Sequence, residues 1–167
     1  MLKKILTLTL CTMMLLTIVG CGGESSEGGA SADIDYAPII EEMKKTDTEM
    51  PETVTIDQTS DKAQTTMEMV AEGFDYSKIK KFSYCYSTTG SPEEIAIIET
   101  TEKSGVGDLM KALQSHIDAR RSTFQAYDPE KATVVDQAVL TYSGNTVFMA
   151  IGSTSGAMQN IFKEKFE

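Results

Sequence analysis

One histidine, three cysteines and a deficit of basic residues limit what this 167-residue chain can do before any motif is sought. With His116 alone, no histidine pair can hold a metal within one chain, and any Ser-His-Asp triad would have to use this residue. HExxH, CxxC and EF-hand spacings are missing too, so neither a metal nor a cofactor is expected and no catalytic set is recognised. Fifteen Lys and Arg stand against 25 Asp and Glu, a formal charge of −10. That balance argues against nucleic acid, whose binding needs basic patches to displace counterions. It gives no electrostatic hold on anionic lipid either.

The apolar run Ile5 to Val19 is about 15 residues and carries Thr7, Thr9, Thr12 and Thr17, whereas a bilayer-crossing helix needs roughly 20 apolar residues. No permanent span is expected from it. Lys3 and Lys4 precede the run and Gly20-Cys21 closes it, the layout of a bacterial export signal. Ile18-Val19-Gly20-Cys21 resembles the lipobox of bacterial lipoproteins, which implies a diacylglyceryl group on the Cys21 thiol and cleavage just ahead of it. The alternative is an ordinary secretory signal with a cysteine near its cut site. Each buried methylene contributes about 0.8 kcal/mol, so two long chains of the palmitate kind anchor a protein stably where one does not. The expected organisation is a signal peptide over residues 1–20, a Gly- and Ser-rich tether over 21–33 and a single domain over 34–167. The expected location is the extracytoplasmic face of the cell membrane. Without Lys3 and Lys4, 13 basic residues face 25 acidic ones, which keeps that domain soluble.

Cys11 leaves with the signal and Cys21 carries the lipid, so only Cys85 remains and no intramolecular disulfide is expected. In "FSYCYS" it reads as a strand residue packed in the core.

From Asp35 a helix is predicted, with Ala37, Ile40 and Met43 inward beside Tyr36, Pro38 in the first turn and an end near Thr46. Met50 to Ser60 reads as an extended crossing segment. Ser60 or Thr59 is then expected to cap a second helix with Ala63, Met67, Val70 and Ala71 inward and Gly73 at its end. Phe82, Tyr84 and Tyr86 alternate with Ser83, Cys85 and Ser87, a period of two that predicts a strand over Lys80–Thr88, paired across "TGSP" with a second over Glu94–Thr101.

Val106, Leu109, Met110, Leu113, Ile117 and Phe124 form the apolar stripe of a long helix. Asp128 and Pro129 open a short one ending near Gln137. "AVLTY" and "TVFMAIGS" flank Ser143-Gly144-Asn145 as a hairpin, and Ser153 or Thr154 is expected to cap a closing helix with Met158, Ile161, Phe162 and Phe166 apolar. Two hairpins separated by a long helix predict an α+β fold of two layers, a four-stranded, mainly antiparallel sheet with helices packed on one face.

The polar constellations have plain readings as well. His116 lies beside the apolar stripe and reads as a boundary histidine. Glu93, Glu94 and Glu99 read as solvated strand edges, although a paired-carboxylate hydrolase would need two of them in one cleft. "GSTSG" at 152–156 has the makings of an anion nest, but helix capping accounts for it more simply. Arg120 and Arg121, followed by Tyr127, have the chemistry to grip a carboxylate or phosphate; salt bridges to Asp118 or neighbouring acids are the competing use.

The segment from about Asp33 to Phe166 resembles a family of clostridial and other Firmicutes lipoproteins, the domain of unknown function 4358. The resemblance rests on "FDYSKIKKFSYCYS", "SPEEIAIIET", "ALQSHIDARRSTFQAYDPEK" and the closing hairpin and helix. The chain departs from the family pattern at Glu99, where a lysine is frequent, and at Gly144-Asn145-Thr146-Val147, where a "GKYV"-like run is frequent. The resemblance implies an exported, lipid-tethered domain with no established activity, substrate or catalytic residue. Arg120 and Tyr127 match an Arg and a Tyr that recur in the family after the long helix, which makes them the candidate ligand-binding residues. Three functional classes stay open at this point: a non-catalytic binding or accessory module for an envelope protein or small ligand, a small extracytoplasmic enzyme acting through Arg120, Tyr127 and a carboxylate, and a structural or assembly lipoprotein of the envelope.

Overall fold

Ile95, Ala96, Ile97 and Ile98 are four consecutive apolar residues in one strand, and all four are fully buried, so this strand has protein on both of its faces. The structure, a computed structural model, describes residues 34–167. The expected signal, Cys21 and the tether lie outside the described residues. Among the described residues the helices are α1 (Tyr36–Lys44), α2 (Ala63–Val70), α3 (Val106–Tyr127), α4 (Pro129–Val135) and α5 (Ser155–Phe166). The strands are β1 (Thr53–Asp57), β2 (Ile79–Ser87), β3 (Glu94–Thr100), β4 (Val139–Ser143) and β5 (Thr146–Ile151), joined in one antiparallel sheet of order β1-β2-β3-β5-β4.

The class is α+β, as the sequence predicts, with two corrections to the architecture. The sheet has five strands rather than four, because the segment expected to cross as an extended link pairs with β2, Thr53 opposite Ser87 and Asp57 opposite Ser83. Val54, Thr55 and Ile56 favour extended backbone, but on an edge strand their side chains are only half covered, so no clean alternation marks them. The helices also lie on both faces, giving three layers instead of two. Phe82, Tyr84, Ala96, Ile98, Val147, Met149 and Ile151 pack with α2, α3 and α4; Cys85, Ile95, Ile97, Phe148 and Ala150 pack with α1 and α5. The opposite directions of neighbouring side chains are local to the strand. Whether a helix covers the second face depends on where α1 and α5 return in space.

α3 buries Val106, Leu109, Leu113, Ile117 and Phe124, each contributing about 1.5–3 kcal/mol of burial. In α1 the buried stripe is Tyr36, Ile39, Ile40 and Met43, while Ala37, expected inward, is exposed. A stripe at i, i+3, i+4 and i+7 buries four large side chains, and a phase that turned Ala37 inward would lose some of them. The expected cap of α2 is also corrected. Lys62 takes the cap position without a side-chain bond, and Asp57 holds the preceding turn by accepting from the Thr59 backbone N–H and hydroxyl at 2.8 and 2.6 Å. Asp128 caps α4 as expected, accepting from Lys131 N–H. Cys85 is a buried free thiol in β2.

Candidate functional site

Glu94 opens β3 on the face covered by α2 and α3, and it is 3% exposed. A buried carboxylate is costly unless donors converge on it. Two side chains do. His116 Nε2 lies 2.6 Å from Glu94 Oε2, and Arg120 Nε lies 2.8 Å from Oε1 as an ion pair whose N–H is not aligned for a hydrogen bond. The Tyr84 hydroxyl, from the neighbouring strand, lies within the influence of the same carboxylate. Burial first, then the negative charge of Glu94, push the Tyr84 hydroxyl well above the ordinary tyrosine range.

The local structure explains the convergence. His116 and Arg120 are one helical turn apart and therefore share a flank of α3. Tyr84 and Glu94 are near-neighbours across the β2–β3 ladder, where Glu94 pairs with Tyr86. Arg120 is fixed further by a bond from its Nη2 to the Ser91 carbonyl at 3.3 Å and by the Phe124 ring 5.0 Å away.

A cleft of about 430 Å³ opens over this cluster. Its floor is Tyr84, Glu94, His116 and Arg120; α2 supplies one wall through Thr66, Met69 and Val70, with Lys62 at the rim. Tyr86, stacked on Tyr84 with ring centroids 5.3 Å apart, continues the apolar side. The turn after β2 closes the mouth at Ser87, Gly90 and Ser91, and Gly90 at φ +76° adopts the left-handed backbone that this turn requires.

Arg120 thus lines the cleft, whereas Tyr127 stands 83% exposed at the end of α3, away from it. Arg121 turns from its neighbour to pair with Asp136 at 2.7 Å and Asp118 at 2.8 Å, the salt-bridge use anticipated for the arginine pair. The expectation that Glu94 and Glu99 are solvated is overturned. Glu99 is 8% exposed and accepts from Tyr36 at 3.0 Å, Lys80 at 2.8 Å and Asn145 at 3.3 Å. Burial raises its pKa, but the bonds from Lys80, Tyr36 and Asn145 outweigh it and hold the carboxyl below its ordinary value. This second cluster ties α1 to the sheet.

The 152–156 loop is not an open anion nest. Ser153 donates to the buried carboxylate of Asp47 at 2.8 Å, and an acid at that place repels an anion; Thr154, at the cap position of α5, makes no side-chain cap bond. His116, a boundary histidine by its helical phase, is half-buried but engaged with Glu94, and Tyr84, a strand residue by its alternation, also lines the cleft. Besides Arg120, the sequence signal for this site is an acid, Glu94, directly ahead of four consecutive apolar residues. Among the described residues no group of three or more His, Cys, Asp or Glu could hold a metal ion, and no helix is long and apolar enough to cross a membrane.

Residues 54–152 match the family described as "Domain of unknown function (DUF4358)", and since this is more than half of the chain, the protein belongs to that family. The match spans β1 to the end of β5 and so contains the whole cleft. No curated protein and no solved structure matches the chain.

Proposed function

We propose that this member of the DUF4358 family is an extracytoplasmic lipoprotein, held at the cell membrane through Cys21, whose folded head is a non-catalytic binding or accessory module with the cleft over Glu94 as its binding site. The anchor rests on the sequence layout of Lys3, Lys4, the apolar run and Ile18-Val19-Gly20-Cys21. The observation that carries the binding role is the cleft itself. An apolar wall faces a few polar side chains that converge on one point and are held there by internal bonds, the arrangement of a pre-formed ligand pocket. Membrane fractionation of the wild type and Cys21→Ser tests the anchor: the variant is expected in the soluble fraction, and an unmodified Cys21 thiol on the membrane-bound mature protein overturns the lipid link. A thermal-shift screen of small molecules, repeated with Met69→Arg to block the cleft, tests the binding role; hits that persist unchanged in the variant place binding elsewhere.

A small extracytoplasmic enzyme is the second reading, and the 2.6 Å contact between His116 and Glu94 is what favours it. A carboxylate that fixes an imidazole can orient it for proton transfer. Turnover lost in His116→Gln while the fold and ligand binding persist would support this reading over the first.

A further inference from the structure

We propose that the cleft takes a small organic anion with an apolar body, a carboxylate or phosphate ester carrying an aryl or alkyl group. The inference rests on the cleft being a binding site and adds the chemistry of its occupant.

Charge is the first argument. Acids outnumber bases over the chain, 25 to 15, yet among the described residues lining the cleft Glu94 is the sole acid, while Lys62 and Arg120 are both cations. Glu94 is buried and paired with Arg120, so these two charges largely offset each other and the excess over the cleft is the one positive charge of Lys62. A concave surface with an excess of one charge raises the local concentration of counter-ions of the opposite sign. On so acidic a molecule this reversal of sign selects anions.

Hydrogen-bonding capacity is the second. A guanidinium has five N–H donors. Among the described residues the contacts of Arg120 involve Nε, beside Glu94, and Nη2, on Ser91, and the side chain is 29% exposed, so the guanidinium keeps N–H capacity for an oxygen acceptor. Ser91 and Phe124 hold the group in place, so little conformational entropy is lost when a ligand binds it.

The apolar body follows from the opposite wall. Met69 is 65% exposed beside Val70 and the stacked Tyr84 and Tyr86. Covering a flexible thioether and an aromatic face favours an aryl or alkyl group. A small inorganic ion would touch the cationic end and leave this wall wet.

The test follows the Met69 methyl by NMR in the detergent-solubilised full chain labelled at methionine methyl groups, with Met69→Leu assigning the signal. Phenylacetate, the neutral isostere phenylacetamide and inorganic phosphate are titrated in turn. The expected result is saturable shifting by phenylacetate, with affinity about tenfold above phenylacetamide, the size of one charge-assisted contact. Lys62→Gln should weaken phenylacetate severalfold and leave phenylacetamide unchanged; Lys62 is exposed, so this variant should fold even if Arg120→Ala does not. Equal binding of the amide overturns the anion while leaving the binding site intact. Phosphate acting as strongly as phenylacetate overturns the apolar body. Silence of the Met69 methyl toward all three overturns this inference, and if other molecules from the thermal-shift screen still bind in a Met69-dependent way, the binding role survives it.

Discussion

Glu94 Oε2 lies 2.6 Å from His116 Nε2 although 22 residues separate them, and both line the cleft. The contact joins the first residue of β3 to the middle of a helix that returns across the sheet. It binds strand, helix and cleft into one polar unit inside an apolar layer.

Glu94→Ala should therefore destabilise the domain more than its small volume suggests. It strands the Arg120 cation and the His116 ring nitrogen together. A fully buried pair broken on one side costs about 3–5 kcal/mol, and the partial exposure of His116 and Arg120 lowers the expectation to about 2–3 kcal/mol. Glu94→Gln, which keeps the shape and an acceptor, should lose less. Urea denaturation followed by circular dichroism measures both; equal stability of wild type and Glu94→Ala would show that the cluster contributes nothing to folding.

At the acid end, Glu99 sets the expected pH dependence. Its folded pKa lies below the ordinary value of 4.5, so the unfolded chain takes up the proton first as pH falls. Its contribution is complete above about pH 4.5 and is lost as pH falls through the lower folded value. The stability difference between wild type and Glu99→Gln should be present at pH 7 and shrink on acidification, read from urea midpoints across pH. A difference that stays constant with pH would contradict the assignment.

At the alkaline end Tyr84 acts with the opposite sign. Its folded pKa is raised above the ordinary value of 10.0, so above that pH the unfolded chain loses its proton while the folded one keeps it, and stability falls as pH rises. Ultraviolet titration of tyrosinate should show Tyr84 ionising only as the protein unfolds. Tyr84→Phe should remove that late step and flatten the alkaline loss of stability.

The face of the sheet under α5 contrasts with a surface position. Phe148 and Phe162 are fully buried and stacked with centroids 5.0 Å apart, between β5 and α5. Phe162→Ala should cost about 3–5 kcal/mol through lost burial and the cavity left behind. Tyr127→Ala, at a position 83% exposed, should stay within about 0.5 kcal/mol of wild type. Paired denaturation curves decide the matter; a large loss in Tyr127→Ala would mean that this tyrosine packs in a way its exposure denies.

Local pattern alone made much of the fold legible. The stripe from Val106 to Phe124, the alternation through Phe82 and Tyr84, the Asp128 cap and the Ser143-Gly144-Asn145 turn each depend on residues a few positions apart, and each lies where the pattern puts it. β1 escaped because an edge strand with half-covered side chains leaves a weak trace. The cleft escaped for another reason. Of its members only Arg120 stands out locally as a ligand-binding candidate; Tyr84, Glu94 and His116 each have an ordinary local explanation as a strand, turn or boundary residue.

The sequence by itself determined the helical and strand periods, the Asp128 cap and the hairpin turn after β4, because side-chain direction along a helix or strand follows from the backbone repeat. Only the tertiary structure decided that helices cover both faces of the sheet, that Arg120 enters the cleft while Tyr127 does not, and that Glu94 is buried. Burying a charge is possible only where compensating donors arrive, and here they come from a helix 22 residues further along the chain.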